Sequence, residues 1–248
     1  GNAGTAAESK VKNVSICSND IDALADFAKK NQVSLTVVGP EKPLVDGIVD
    51  RFNEAGLPCL GPTKHAAKLE GSKVFAKMFM ERHGIPTASY EIFNNSGEAI
   101  EHAKRKGPPL VIKASGLASG KGVYIANTIP EAELAIREIL DQHKFGAAGN
   151  QLVIEEFLIG EEVSFICLVN QEQVLPLATS QDHKPRDAGD MGPNTGGMGA
   201  YSPAPSIAPD MHDQIMRLVI RPTVMGLIEE GISYSGFLYA GLMIDKEG

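Results

Sequence analysis

Short apolar runs alternate with amphipathic segments over the first 70 residues of the chain. The runs at residues 34–38 and 57–60 are bounded by turn residues and predict two buried strands. Between them, apolar positions at residues 44–52 recur at helical spacing, and another helix is predicted over residues 21–30. A strand, helix, strand order predicts a βαβ unit with a parallel sheet. Residues 1–69 therefore predict an incomplete doubly wound, Rossmann-like domain, because the strand that should precede its first glycine-rich turn is absent.

From about residue 70, helices and strands alternate without an internal repeat. Helices are predicted over residues 72–84, 96–106, 130–142 and 210–230, the last kinked at Pro222, and strands over residues 88–93, 110–114, 123–126, 152–157, 163–169 and 239–245. Residues 178–205 are rich in Gly, Pro, Asn and Asp and predict a long loop, which at that length is usually functional or disordered.

Composition narrows the classes of protein to consider. Lys plus Arg is 23 and Asp plus Glu is 31, so the net charge of −8 disfavours a general nucleic-acid binder. No apolar run approaches the roughly 18 to 20 residues of a membrane span. The three cysteines form no C-x-x-C pair, which predicts neither a disulfide framework nor a thiolate metal site and fits a reducing compartment. We expect a cytoplasmic protein without nucleic-acid or membrane partners.

A glycine-rich segment at residues 115–123 joins two predicted strands. Its glycines allow a ligand to approach the backbone closely, and free N–H groups in such a loop can hold phosphate. The segment lacks the Walker A pattern and the helix N-terminus of a Rossmann turn. An ordinary glycine-rich hairpin is the alternative. The candidate loop residues are Ser115, Gly116, Gly120, Lys121 and Gly122.

Two lysines and four glutamates stand where stability alone would not place them. Lys113 ends an apolar strand, where a cation must reach solvent or meet an anion, and Lys73 begins a helix, where it opposes the helix dipole. Four carboxylates flank one connection and repel one another unless a donor such as a ribose hydroxyl, an adenine amino group or magnesium lies there. Solvated lysines and a solvated acidic hairpin are the alternatives. The four acidic residues are Glu155, Glu156, Glu161 and Glu162.

A third cluster combines residues 181–184 with the glycine-rich residues 192–201. It supplies a carboxylate, a cation, an amide and a hydroxyl, which together suit a small polar substrate with a phosphate. A flexible surface loop is the alternative, and His183 alone is more typical of a structural histidine. The four side chains belong to Asp182, Lys184, Asn194 and Thr195.

In order along the whole chain, these segments resemble the glycinamide ribonucleotide synthetase (phosphoribosylamine–glycine ligase) family of the ATP-grasp superfamily. The most specific are Lys-Ala-Ser-Gly-Leu-Ala-Ser-Gly-Lys-Gly-Val at residues 113–123 and Pro-Asn-Thr-Gly-Gly-Met-Gly-Ala-Tyr at residues 193–201. Further matching segments are residues 1–5, 37–41, 60–62, 72–77, 83–87, 155–158, 181–184 and 237–243. The implied fold class is α/β, with the incomplete domain at residues 1–69 followed by an ATP-grasp domain at residues 70–248 whose small lobe spans about 88–158.

The resemblance implies an ATP-dependent ligase of purine biosynthesis that uses Mg²⁺ or Mn²⁺. ATP would phosphorylate glycine to glycyl phosphate, and the amine of 5-phosphoribosylamine would then attack it to give glycinamide ribonucleotide. A carboxylate becomes a good acyl donor only once it is phosphorylated, and phosphoryl transfer is mainly a problem of positioning and charge neutralisation. In some animals such a ligase begins a longer multifunctional polypeptide, an arrangement that stays open here.

The resemblance also implies roles for individual residues. Lys73 and Lys113 would contact the ATP phosphates under the glycine-rich loop, with Lys113 and Asp182 as catalytic candidates. Glu155 would meet the adenine amino group and Glu162 the ribose. Further ATP contacts would come from Glu156, Phe157, Leu158 and Asn194, and substrate contacts from Gly39, Pro40, Glu41, Asp182, Thr195, Gly196, Gly197 and Met198.

Two departures from the family pattern matter. Pro185 stands where the family usually has an Arg among its ATP contacts, and Arg186 follows one position later. The family also carries a glycine-rich turn upstream of Gly1 and a strand after Gly248 that supplies its Glu and Asn metal ligands. The resemblance therefore implies a fragment with no metal ligands of its own, and we expect negligible ligase activity from these 248 residues alone.

Two other functions remain open at this stage. One is another ATP-grasp ligase, such as a biotin carboxylase relative that activates bicarbonate, and dependence on glycine or on bicarbonate separates these two. The other is a non-catalytic nucleotide-binding module, which the sequence following Gly248 in the natural protein would discriminate.

Overall fold

The computed structural model describes residues 2–118, 121–183, 185–189, 191–195 and 197–245. Within these ranges we find no helix with the length and apolar character needed to cross a bilayer. Gly120 and Gly196, both candidate site residues, lie outside the described residues, as does Lys184.

Several helices begin at residues whose side chains cap the first turn. Ser72 Oγ accepts from Phe75 N, Asn95 Oδ1 from Glu98 N and Thr128 Oγ1 from Glu131 N. The helices are α1 (Ala3–Ala7), α2 (Ile21–Lys30), α3 (Glu41–Asp46), α4 (Ile48–Glu54), α5 (Lys68–Gly71), α6 (Lys73–Arg82), α7 (Ser96–Lys106), α8 (Ile129–Leu140), α9 (Pro209–Ile215) and α10 (Arg221–Glu229).

The strands form two larger antiparallel sheets and three smaller pairs. They are β1 (Thr36–Val37), β2 (Cys59–Leu60), β3 (Tyr90–Phe93), β4 (Leu110–Ala114), β5 (Val123–Ala126), β6 (Leu152–Glu156), β7 (Glu161–Asn170), β8 (Gln173–Pro176), β9 (Gln181–Asp182), β10 (Pro185–Asp187), β11 (Met191–Asn194), β12 (Ala200–Tyr201) and β13 (Ser235–Ile244). The larger sheets have the orders β3-β6-β4-β5 and β13-β7-β8, and the pairs are β1-β2, β10-β11 and β12-β9.

Residues 2–69, called the first region below, contain the expected parallel strand pair, with β1 beside β2. The core of this region consists of one face of α2 packed on α4, with Ala25, Ile48 and Phe52 buried. The single helix expected over residues 44–52 is wrong, because Gly47 adopts a φ of +98° that divides it into α3 and α4. Glycine adopts this left-handed conformation without the Cβ penalty that other residues incur.

The four-stranded sheet packs one of its faces on the α7–α8 pair, while α6 contacts the opposite face near Glu155. Ile112, Ile154 and Ile136 are fully or almost fully buried between this sheet and the α7–α8 pair. Residues on the opposite face alternate with these, since side chains of a strand point alternately to its two sides. That opposite face carries Lys113 and Glu155, and it remains partly exposed at β5.

The three-stranded sheet packs on α6, α9 and α10. Phe165, Leu227 and Phe79 are fully buried in this second core. The long helix expected over residues 210–230 is interrupted by a π-helical segment at Met216–Ile220, just before Pro222. The expected strand at 239–245 begins earlier, at Ser235, and pairs along all its length with β7.

The long loop expected over residues 178–205 is only partly irregular. Within it, β9 pairs with β12, and β10 pairs with β11. These strands are two to four residues long and contain few apolar residues, so no alternating apolar pattern marks them in the sequence.

Gly236 fixes the first region against the three-stranded sheet. Its φ is +142°, and a Cβ at this position would lie 2.9 Å from Cα of Gly61. Two backbones meet there at a distance that only glycine allows, so the region around β2 has a defined position beside β13.

The C-terminal ends of α6 and α10 are joined by one carboxylate. Glu230 Oε1 accepts hydrogen bonds from Arg82 Nη2 at 2.7 Å and Arg82 Nε at 3.0 Å, and lies 2.9 Å from His83 Nε2. Burial opposes ionisation of Glu230, but its bonds with His83 and Arg82 outweigh that effect and lower its pKa.

We expect Glu230→Gln to lower Tm at pH 7 by about 2–4 °C, for a loss of about 1 kcal/mol. A depressed folded-state pKa stabilises the fold above the ordinary glutamate value of about 4.3, and this contribution is lost as the pH falls through the lower folded value. Thermal unfolding between pH 7 and pH 3 should therefore show that the difference in Tm from the unmodified chain becomes smaller toward acid.

Glu229→Gln is the control, since that carboxylate is exposed and 3.6 Å from His83 Nδ1. Equal deficits at both pH values would contradict the assignment.

Candidate functional site

Lys113 and Glu155 meet on the open face of the four-stranded sheet. The register of β4 and β6 pairs Lys113 with Val153 and Val111 with Glu155, so the two charged side chains are diagonal neighbours on one face. Lys113 Nζ donates to Glu155 Oε2 at 2.8 Å. The sequence left Lys113 two options, solvent or an anion, and the structure shows an anion, a glutamate 42 residues later in the chain.

Lys77 is the second cation on the same carboxylate. It lies one turn after Lys73 on α6 and is buried, and its Nζ is 3.2 Å from Glu155 Oε2. Burial lowers the pKa of Lys77, while Glu155 raises it and Lys113 lowers it further. Sequence analysis missed this residue as a site component, although its i, i+4 spacing from Lys73 indicated a shared helix face.

Lys73 lies against the start of the glycine-rich loop. Its Nζ donates to Gly116 O at 3.3 Å, and its backbone N donates to Ser115 O at 2.8 Å. Ser115 Oγ is also 3.4 Å from Ser72 Oγ, so the cap of α6 and the loop meet directly. Burial lowers the pKa of Lys73, which Glu70 raises and Lys113 lowers further.

The glycine-rich loop is a hairpin connection between β4 and β5 whose ends are fixed by backbone contacts. Ala114 N donates to Gly122 O at 2.8 Å, and Gly116 N donates to Ala148 O at 2.9 Å. A Cβ on Gly116 would lie 2.7 Å from both Cα and Cβ of Ala148. Lys121 is exposed just before β5. The loop is therefore fixed at both ends and presents a cation at its exposed part.

A partly exposed apolar surface adjoins the lysines. Val123 and Ile125 of β5 pair with Lys113 and Val111, and they are 39% and 46% exposed. Phe157 and Leu158, just after β6, are also exposed. A flat apolar ring could contact these side chains while its polar edge meets Glu155.

The acidic residues do not form one hairpin, because β6 and β7 belong to different sheets. Glu156 Oε1 accepts from Ser89 N at 2.7 Å, and this backbone hydrogen bond outweighs desolvation and lowers the pKa of Glu156. Glu162 is exposed near the start of β7 and pairs in register with Met243 of β13. Residues 157–160 therefore connect the two sheets, with a carboxylate on either side.

Asp182 lies beside the same end of β7. Ser180 and Ser164 exchange two backbone hydrogen bonds, which places β9 along the edge of β7 near Glu162. Asp182 pairs with Ala200 and is half-buried. Asp182 thus shares a neighbourhood with Glu162, whereas Lys113 lies on the other sheet.

The glycine-rich residues after β11 form a tight turn. Thr195 Oγ1 accepts from Gly197 N at 3.0 Å, and Met198 N donates to His183 O at 2.8 Å. Met198 is 61% exposed and lines a cavity of about 440 Å³ with His183 and Arg186. The backbone of Asn194 belongs to β11, but its side chain lies outside what the structure describes.

Pro185 begins β10, and Arg186 forms an ion pair with its neighbour Asp187, with Nε 2.9 Å from Oδ1. The Arg186 guanidinium is therefore paired with a carboxylate, and both residues line the same cavity.

The first region approaches the lysines through Glu41. Gly39 and Pro40 are exposed immediately before α3, which begins at Glu41. Desolvation and the Glu41 carboxylate raise the pKa of Glu70, while Lys73 lowers it, although Glu70 keeps part of its surface exposed. Glu70 therefore links Glu41 electrostatically with Lys73.

In the part of the chain that the structure describes, three or more His, Cys, Asp or Glu side chains nowhere gather as metal ligands. Magnesium prefers octahedral oxygen ligation, which these residues do not supply on their own.

Comparisons with known proteins agree along the entire chain. A family model described as phosphoribosylglycinamide synthetase, ATP-grasp (A) domain, matches residues 71–248, and the corresponding N-domain model matches residues 1–70. A phosphoribosylamine–glycine ligase from Allochromatium vinosum is 57% identical over 248 residues, which cover all of this chain and 58% of the relative. The chain thus spans somewhat more than half the length of the curated relatives that it matches.

Solved structures give the same result. The crystal structure of phosphoribosylamine–glycine ligase from Thermotoga maritima aligns with a TM-score of 0.82 at 37% identity, covering 99% of this chain and 58% of that one. The biotin carboxylase domain of Hydrogenobacter thermophilus 2-oxoglutarate carboxylase, solved with MgADP, ADP and bicarbonate, aligns with a TM-score of 0.72 at 19% identity over 96% of this chain and 51% of that one. At 19% identity, the similarity to the biotin carboxylase domain shows that the two chains share the ATP-grasp fold.

We expect Gly116→Ala to destabilise the fold by about 1–3 kcal/mol, because the added Cβ overlaps backbone and side-chain atoms of Ala148. Denaturant unfolding measures the change. Gly39→Ala is the matched control, since its Cβ would have no neighbour within 4 Å and its φ lies outside the left-handed region. Equal stability of the two variants would contradict the close packing of the loop.

Proposed function

Because the chain belongs to the phosphoribosylglycinamide synthetase family, we propose that the protein carrying it ligates glycine to 5-phosphoribosylamine using ATP. The observation that carries the proposal is the cluster of Lys73, Lys113 and Glu155 beside the fixed glycine-rich loop. A structural ion pair needs one cation for one carboxylate, whereas phosphates need several cations and backbone donors together.

The proposed reaction has two steps. A glycine carboxylate oxygen attacks the γ-phosphorus of ATP, which releases ADP and leaves glycyl phosphate. The amine of 5-phosphoribosylamine then attacks the activated carbonyl carbon, and phosphate leaves as the amide bond forms. The first step supplies the leaving group that a free carboxylate lacks, and catalysis of that step depends on positioning and on neutralising charge.

Lys73 and Lys113 are proposed to hold the ATP phosphates, with the loop closing over them. Lys73 already contacts the loop backbone at Gly116, and Lys113 is only partly buried, so both ammonium groups can reach a ligand beside the loop. Loop contacts are proposed for Ser115, Gly116, Gly120, Lys121 and Gly122.

The adenine base is proposed to lie on the apolar surface beside Glu155. Val123, Ile125 and Phe157 offer exposed apolar area, and the Glu155 carboxylate accepts a hydrogen bond from the adenine amino group. Glu162 is proposed to hold the ribose hydroxyls. The connection at residues 156–158 and the Asn194 side chain complete the proposed nucleotide contacts.

The two other substrates are proposed to bind on either side of the phosphates. Asp182 is proposed to orient the reacting groups, and the turn with Thr195, Gly196, Gly197 and Met198 to line the glycine side. Gly39, Pro40 and Glu41 are proposed to face 5-phosphoribosylamine, a placement supported by the proximity of Glu41 to Glu70 and Lys73. Magnesium or manganese is the proposed metal partner of ATP, where it would neutralise part of the phosphate charge.

We propose residue 69 as the boundary between the substrate domain and the ATP-grasp domain, whose small lobe spans about 88–158. A cytoplasmic location is proposed from the same family membership.

We expect the complete polypeptide encoded by the gene to form ADP and phosphate only when glycine and 5-phosphoribosylamine are both present. Lys113→Met should lower kcat/KM for ATP about 100-fold, the loss expected when a charge-stabilising donor is removed. A coupled ADP assay measures both. Lys104→Met is the control, since that exposed lysine pairs with Glu133 at 3.1 Å on the helix side of the sheet.

Bicarbonate-dependent ADP formation without a glycine requirement would replace this proposal with a carboxylase-type ligase. ADP binding without turnover under any of these conditions would indicate a nucleotide-binding module instead.

A further inference from the structure

Lys77 is a buried lysine whose ammonium group has three neighbours. Its Nζ donates to Thr87 Oγ1 at 2.7 Å and Ala88 O at 3.2 Å, and it lies 3.2 Å from Glu155 Oε2. An ammonium group has three hydrogens to donate, so these contacts account for all of them. Two of the contacts attach α6 to the segment before β3, and the third reaches the proposed adenine site.

Both lysines that contact Glu155 use the same carboxylate oxygen. Lys113 Nζ and Lys77 Nζ are 2.8 Å and 3.2 Å from Oε2. Among the contacts of the described residues, those of both lysines use Oε2, and Oε1 can accept from another donor. The oxygens of an ionised carboxylate can only accept hydrogen bonds.

We propose that Lys77 is a positioning residue that fixes the Glu155 carboxylate so that Oε1 selects a 6-amino purine over a 6-keto purine. This inference rests on the proposed function, in which Glu155 meets the adenine base. An amino group donates to Oε1, whereas a keto oxygen would place two acceptors against each other. Unpaired acceptors in a desolvated site weaken binding substantially, so the orientation of the carboxylate becomes a selectivity determinant.

A purely structural role makes a different prediction. If Lys77 only tethers α6 to residues 87 and 88, its loss should destabilise the fold without changing which base is preferred. Thr87→Val separates the two roles, because it removes one tether and leaves the lysine beside Glu155.

The experiment measures the Kd values of ADP and IDP by isothermal titration calorimetry, using the complete polypeptide. We expect the unmodified protein to prefer ADP. Lys77→Met should reduce the ratio of the Kd of IDP to the Kd of ADP about tenfold, the effect of one charge-assisted hydrogen bond.

Thr87→Val should lower Tm but keep the ratio. Glu155→Gln, which offers a donor as well as an acceptor, should narrow the ratio as well. Lys77→Gln serves in place of Lys77→Met if the latter does not fold, with the same expected direction.

An unchanged ratio in the Lys77 variants would overturn the inference while leaving the nucleotide site intact. An equal change in Thr87→Val would also overturn it, because the tether would then explain the effect. Equal binding of ADP and IDP by the unmodified protein would overturn the selectivity role alone. Failure of the unmodified protein to bind either nucleotide would overturn the proposed function itself.

Discussion

The arrangement of the candidate site depends on one buried carboxylate shared by two lysines. Glu155 is 5% exposed, and its Oε2 atom lies between Lys113 and Lys77. Removing charges from water is costly, and the attraction between them recovers that cost only with good geometry and additional hydrogen bonds. The four-stranded sheet and α6 must therefore keep a fixed relation, since displacement of either would leave a buried charge without its partner.

Such a cluster is a poor way to stabilise a fold, because an apolar set of similar volume packs equally well. The opposite face of the same sheet shows that alternative, with Ile112 and Ile154 packed against two helices. The charges lie on the other face, where α6 covers Glu155 but Val123 and Ile125 of β5 stay exposed. The exposed part of that face leaves room for a ligand beside the charges, as the proposed function requires.

The connection between β6 and β7 relates the two sheets. It leaves the four-stranded sheet after Glu156 and enters the three-stranded sheet at Glu161, so one short segment carries carboxylates into both. A Cβ on Gly160 would lie 2.4 Å from the carbonyl oxygen of Ile244, which shows how closely this connection passes β13. The backbone contact between Gly236 and Gly61 fixes the first region on the same strand. Three parts of the chain thus meet around β13.

Local pattern determined much of the secondary structure and the family. The sequence predicts α2, α7 and β4 with the bounds that the structure has, because apolar spacing and flanking turn residues depend on neighbours within a few residues. The same pattern missed the break at Gly47, since glycine fits a helix and a left-handed turn alike. It could not give the pairing of Lys113 with Glu155, which are 42 residues apart, nor show that Lys77 joins them. Those contacts follow from the register of β4 with β6 and from the packing of α6 on that sheet, and no short-range rule connects residues that only the folded chain brings together.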